Sequence, residues 1–154
     1  MERPMKRVSD SYTTQVQILT QANLNGYQRL FGGQLMSWMD IVAAVAARRH
    51  AGRNVTTVRV DDLEFKAPAY ANDTLMLTAY VCYVGNTSMD ICVNVYLESL
   101  QGNKKLINRA HFIMVALDEN ENPAPVPGLI LETEQQKAEW ADALARKNAW
   151  KKES

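Results

Sequence analysis

The sequence predicts an α+β fold in which a single antiparallel sheet curls around one long buried helix. Three observations carry this expectation. Leu30 to Gly52 (LFGGQLMSWMDIVAAVAARRHAG) is apolar on almost every face between a glycine pair and a closing glycine, the pattern of a helix wrapped by the rest of its chain. Leu75 to Val84, Met89 to Leu97 and Leu106 to Leu117 are rich in β-branched and aromatic residues, as strands are. Short polar turns, Gly85-Asn86-Thr87-Ser88 and Gln101-Gly102-Asn103, join those runs and make them an antiparallel meander.

Each element has its own signal. Residues 1–12 read as a polar, partly loose lead-in to a single domain over 13–128, with a helical tail over 129–154. Thr14 to Thr20 alternates and predicts a short strand, followed by a loop marked by Asn25-Gly26. The central helix is expected from about Gly33 to His50, with Arg48, Arg49 and His50 in its last turn and Gly52 as its stop, because cations and a glycine favour a helix C-terminus. Asn54 to Pro68 predicts a long strand. Thr56, Val58, Val60 and Asp62 fall on one face and Leu63 and Phe65 on the other, so a bulge is expected near Asp61-Asp62. Asp118 to Gly128 is a proline-rich connector. Thr133 to about Lys151 predicts a helix with a capping box at Thr133 and Gln136. Its narrow apolar stripe, Ala138, Ala141, Leu144 and Ala145, would lie on the body or on a partner subunit.

Composition narrows the function. The 154 residues carry 17 Lys+Arg against 17 Asp+Glu, so no electrostatic case exists for general nucleic-acid binding. The central helix is long enough to suggest a membrane span, but Asp40 in its middle would cost about 2.5–3.5 kcal/mol in a bilayer. The first residues contain no apolar signal-peptide core. A cytoplasmic location and reduced Cys82 and Cys92 are therefore expected. The two cysteines lack metal-ligand spacing and have no histidine near them in sequence, so no metal site is expected. Neither a GxSxG elbow nor a phosphate-binding GxxxxGK[ST] loop occurs.

The constellation that stands out is Asn23, Gly32, Gly33 and Asp40. The first amides of a helix have no internal partners, and such amides stabilise a carbonyl oxygen that gains negative charge. Close packing is the plain alternative for the glycine pair, and structural pairing for Asp40. Asp40 falls two turns beyond Gly33 on nearly the same face, about 10 Å along the axis. One small carbonyl cannot touch both groups of one straight helix. Two copies packed side by side and antiparallel would bring Asp40 of one subunit to Gly33 of the other, which predicts a dimer with the site at its interface. His50, at the helix end, and His111, in a strand, are placed for structural work.

Ala22-Asn23-Leu24-Asn25-Gly26 followed by Phe31-Gly32-Gly33-Gln34-Leu35-Met36-Ser37-Trp38-Met39-Asp40 carries a resemblance. Thr57-Val58-Arg59-Val60-Asp61, Val84-Gly85-Asn86-Thr87-Ser88-Met89 and Val126-Pro127-Gly128 add to it. The chain resembles the hotdog-fold acyl-CoA thioesterases, and within them the branch of brain-type cytosolic acyl-CoA hydrolases and their short bacterial relatives, over about residues 12 to 140. The resemblance implies a five-stranded antiparallel sheet around the central helix and hydrolysis of acyl-CoA thioesters to free acid and CoA. It implies Asp40 as general base or nucleophile, a loop asparagine (Asn23) from the other subunit, and the Gly33 amide on the thioester carbonyl. Gly32, Thr57, Val58, Arg59, Gly85, Asn86, Thr87 and Ser88 would line the CoA groove. It implies no cofactor beyond CoA as part of the substrate, and a homodimer or trimer of dimers. Tyr27-Gln28-Arg29-Leu30 lengthens the loop relative to many relatives, so Asn25 is the alternative asparagine and Arg29 a possible reach toward a CoA phosphate. Two other activities stay open: a non-catalytic acyl-CoA-binding module, and a hydratase, which would want a histidine beside Asp40.

Overall fold

The computed structural model describes residues 2–153. Five strands, β2 (Thr13–Ile18), β3 (Val55–Phe65), β4 (Thr74–Val84), β5 (Ser88–Glu98) and β6 (Lys104–Ala116), form one antiparallel sheet in the order β2-β4-β5-β6-β3. The predicted meander is β4-β5-β6. Gly85 N–H closes its first turn on the Ser88 carbonyl at 2.9 Å, and Gly102 takes a positive φ of 86° in the second.

Helix α2 (Gly32–Ala51) crosses the inner face of this sheet. Leu35, Met39, Val42, Ala43, Ala46 and Ala47 join Leu77, Val81, Met89, Ile91, Val93, Phe112 and Met114 in the core. Gly52, in the left-handed region at φ 66°, ends the helix and returns its N–H to the Arg48 carbonyl at 2.8 Å. The expected burial on all sides needs correcting. Phe31, Gly32, Gly33, Ser37, Asp40, Ile41 and Arg48 are exposed, so the sheet covers α2 on one side and leaves an open stripe on the other.

The lead-in is not loose. Met5–Arg7 forms β1, paired in parallel with β7 (Gly128–Ile130), and Val8–Ser11 forms one helical turn, α1. The buried Ser11 hydroxyl donates to the Val8 carbonyl and accepts from Val81 N–H at 2.9 Å. A boundary at 128 would cut the pairing that ties the two ends together.

Strand β3 carries the expected irregularity between Asp61 and Glu64, where Asp62 turns to φ 51°. A second register shift lies between Thr57 and Arg59 and leaves Val58 as the extra residue. This breaks the expected shared face. Thr57 pairs with Met114 and Val60 with Phe112, both core residues, whereas Arg59 and Asp61 pair with Ile113 and His111 on the outer face.

Helix α3 (Glu134–Glu153) lies across that outer face. The predicted apolar stripe is not what it packs with. Ala138, Ala141, Leu144 and Ala145 are exposed, and the helix rests on Glu139, Trp140, Ala143, Arg146 and Trp150. No described helix is long and apolar enough to cross a membrane.

Candidate active site

The site grows from the exposed stripe of α2. Asp40 stands on it, and the Thr57 hydroxyl of β3 donates to its Oδ1 at 2.6 Å. A bond that short is charge-assisted. It orients the carboxylate and leaves its second oxygen open. The bulge at Val58 belongs to this geometry, because it lets Thr57 face α2 while Arg59 turns away. Sequence reasoning placed Thr57 in a CoA groove but not as the partner of Asp40. Only the register of β3 shows it.

At the other end of the stripe, Phe31 is the N-cap and its carbonyl receives Leu35 N–H at 3.1 Å. The amides of Gly32, Gly33 and Gln34 thus form the unpaired first turn. A Cβ at Gly33 would stand 2.6 Å from the exposed Phe31 ring, which would have to turn aside. Nothing lies within 4 Å of such an atom at Gly32.

The two loop asparagines differ in what they hold. Asn23 accepts from Thr20 N–H at 2.8 Å and turns its amide nitrogen toward Gln34 Oε1 at 3.5 Å, in that first helical turn. Its carbonyl receives Phe31 N–H at 2.8 Å. Asn25 accepts from Tyr27 and Arg29 N–H and closes the loop. Asn23 is therefore the one tied to the glycine pair. Arg29 borders a separate hollow with Asn25, Gly32, Leu35 and Phe65.

Within one chain the structure joins Asp40 to Thr57 and Asn23 to Gln34 in the first turn of α2, as two separate clusters. Around them Phe31, Ile41, Val58, Val60, Leu63 and Phe65 are exposed. The turn residues of the predicted groove join the end of β4 to the start of β5, level with Thr56 and Thr57 of β3. Asn86 and Thr87 use their carbonyls to bind Val126 and Ala116 N–H, while Ser88 opens to the outer face. Arg59 is also on the outer face, its guanidinium 4.1 Å from the centre of the Trp150 ring.

The histidines are engaged elsewhere. His50 is buried with a ring nitrogen 2.7 Å from the Pro127 carbonyl. His111 stands 2.9 Å from Asp90, and Arg146 binds the other Asp90 oxygen at 2.9 Å. Space reverses one sequence expectation, because His111 does lie near a cysteine. Cys82, Asp90 and His111 offer ligand atoms within 4.8 Å of one another. Within the fold these groups serve one another: burial pushes the Cys82 thiol well up, and the Arg146 guanidinium pairs with Asp90 at 2.9 Å. Burial works against the Asp90 carboxylate, but His111 and Arg146 outweigh it and hold its pKa below the ordinary value.

Comparison with known proteins agrees with this architecture. The sequence profile of the thioesterase superfamily matches residues 27–102. A Bacillus subtilis protein described as an uncharacterized acyl-CoA thioester hydrolase, YkhA, is 36% identical over 88% of this chain and 80% of its own. The crystal structure of an apo-hexameric acyl-CoA thioesterase superposes with a TM-score of 0.93 at 34% identity, covering 97% of each chain. An acyl-CoA hydrolase from Staphylococcus aureus, solved with butyryl coenzyme A and coenzyme A, superposes at 0.90 and 30% identity over 97% of this chain and 94% of that one. That enzyme has also been solved with an asparagine, an aspartate or a threonine replaced by alanine. With the sheet order, the central helix and these relatives together, the chain belongs to the hotdog-fold thioesterase superfamily, among its acyl-CoA thioester hydrolases.

Proposed function

We propose that the chain hydrolyses acyl-CoA thioesters to a free acid and CoA, at sites formed where two copies lay their α2 stripes together antiparallel. The observation that carries this reading is the open stripe itself. It bears a carboxylate oriented by Thr57 at one end and unpaired first-turn amides at the other, separated by about 10 Å of helix. Antiparallel pairing brings Asp40 of one copy to the Gly33 turn and Asn23 of its partner and covers the exposed apolar residues around them. The hexameric relative supports assembly of such pairs into a trimer of dimers.

The chemistry follows from the groups present. Gly33 N–H polarises the thioester carbonyl and receives the oxyanion, a contact worth about 2.7–4 kcal/mol. Asp40, as base, takes a proton from the attacking water and returns it to the departing CoA thiolate. As nucleophile, it forms an acyl anhydride that water opens. Asn23 positions the water or the thioester. Water and these groups balance the reaction, so the proposal calls for no cofactor, and the cytoplasm is the location it expects.

Thiol release from acyl-CoA esters of graded chain length tests this. The Asp40→Asn variant keeps the shape but loses the base, and kcat should fall by about 10²–10⁴-fold while CoA still binds. Full activity in that variant would move the chemistry away from Asp40. CoA binding without release from any ester, in the wild type, would leave a binding module.

A further inference from the structure

Within this chain, among the described residues, β3 is an edge strand that pairs only with β6. That ladder breaks twice. Val58 is an extra residue between Thr57 and Arg59, and Asp62 and Leu63 stand between Asp61 and Glu64 where β6 supplies Ala110 alone. Arg59, Val60 and Asp61 are thus a three-residue piece in register with Ile113, Phe112 and His111. Thr57 and Val60 both face inward although they are three residues apart, which strict alternation along a strand forbids. The extra residue at Val58 makes this possible, and a bulge also bends its strand and raises its twist. The aim of the Thr57 hydroxyl at Asp40 Oδ1, 2.6 Å away, is set by that bend.

A bend keeps its shape only when both flanks are held. Upstream, Val55 pairs with Ala116, and Leu117 N–H donates to the Asn54 carbonyl at 2.9 Å. Downstream, the short piece lies between two bulges, and α3 supplies the hold that the ladder lacks. The Trp150 indole Nε1 donates to Asp61 Oδ2 at 2.9 Å. The Arg59 guanidinium lies 4.1 Å from the centre of the same ring, within the range of a cation–π contact. Asp61 Oδ1 and Arg59 Nη2 face each other at 3.9 Å. The three side chains close on one another and fix both outward residues of the piece. One turn earlier on α3, Arg146 Nε stands 3.8 Å from Asp62 Oδ2 at the second bulge.

We propose that Trp150 is a positioning residue for Asp40. By clamping Arg59 and Asp61 on the outer face, it holds the Val58 bulge that aims Thr57 at the carboxylate. Through this clamp α3, on one face of the sheet, bears on a group that stands on the helix of the other face. The proposal rests on the thioesterase reading, in which Asp40 is the group that reacts.

Steady-state kinetics on one acyl-CoA ester test this as a double-mutant cycle. Thr57→Val removes the hydroxyl and should lower kcat about tenfold, as the loss of a hydrogen bond to a charged group does. Trp150→Leu should reproduce most of that loss, about fivefold, with KM unchanged. In the Thr57→Val background it should cost nothing further, because a group acting through another does not add to its loss. Trp150→Phe keeps a ring over Arg59 and loses only the bond to Asp61, so its kcat should fall between Trp150→Leu and the wild type. Lys137→Gln, also on α3 but paired with Glu134, should leave kcat as it is. The same fractional loss with and without the Thr57 hydroxyl overturns the route through Thr57, and so does a rise in KM at constant kcat. Hydrogen exchange reads the clamp without activity: Val55–Phe65 should exchange faster in Trp150→Leu while Ser88–Glu98 stays as it is. Unchanged exchange over Val55–Phe65 overturns the clamp. Where Trp150→Leu does not fold, Trp150→Phe carries both measurements. A wild type that cleaves no acyl-CoA ester overturns the thioesterase reading instead, and exchange then decides the clamp on its own.

Discussion

Helices α2 and α3 each run for 20 residues, and they are fastened to opposite faces of one sheet by different means. Helix α2 is held by close packing of alanine, valine, leucine and methionine against the strand core. Among the described residues of helix α3, only Ala143 is fully buried. Its remaining attachments are specific and mostly polar. Tyr80 donates to Glu139 at 2.9 Å, Arg146 pairs with Asp90, and Trp150 donates to Asp61 at 2.9 Å. Trp140 packs on Tyr83 with ring centres 4.3 Å apart. A packed helix tolerates an open stripe for chemistry because its other side is fixed by many small contacts. A helix held at a few points is easier to loosen.

The largest effect should come from the strongest of those points. Arg146→Ala leaves the Asp90 side chain, 4% exposed, as a buried carboxylate with His111 as its remaining partner. Removing one member of a buried pair costs about 3–5 kcal/mol. Chemical denaturation followed by tryptophan fluorescence should show that loss, since Trp140 and Trp150 lie on α3. A loss under about 1 kcal/mol would mean that α3 is held, like α2, by apolar contact.

The same contrast explains what the sequence disclosed. The core helix, its glycine stop and the β4-β5-β6 meander were legible, because the burial that creates them leaves a period in the residues. So was the distortion at Asp62. The face of α3 was not. Its apolar stripe at Ala138, Ala141, Leu144 and Ala145 points outward, and the helix rests instead on Arg146, Trp150 and Glu139, whose partners lie 56 to 89 residues away in sequence or are otherwise remote. No local pattern encodes such a pairing. The Thr57–Asp40 bond was hidden for a related reason: one extra residue at Val58 decides which side chains of β3 face the helix. The lead-in looked loose because the order of Met5–Arg7 comes from a parallel pairing with β7, over a hundred residues on.

A smaller effect should separate the two helices by pH. His50 closes α2 in a fully buried position, and burial, ahead of the opposing Pro127 hydrogen bond, lowers its pKa from 6.5. In the unfolded chain the imidazole takes a proton near pH 6.5. Between that pH and the lower folded value the unfolded state binds more protons, so stability falls as pH drops below 6.5. Asp90 on the α3 side adds its own loss only lower, as pH falls below about 3.8. His50→Gln keeps a donor for the Pro127 carbonyl and does not titrate. Its stability, measured by urea midpoint between pH 7.5 and 4.5, should follow a shallower slope than the wild type. An unchanged slope would place the acid sensitivity of that interval outside α2.

The smallest effect concerns the outward stripe of α3. Leu144 is 39% exposed there, and exchanging an exposed side chain usually changes stability by less than about 0.5 kcal/mol. Leu144→Gln should therefore leave both the denaturation midpoint and the assembled mass as they are, because the face that fastens α3 is the one bearing Ala143 and Arg146. The opposite result would be informative in a definite way. A drop in assembled mass with an unchanged monomer fold would show that another subunit covers the stripe in the assembly, and that its alanines, which do no packing within the chain, were selected for contact between chains.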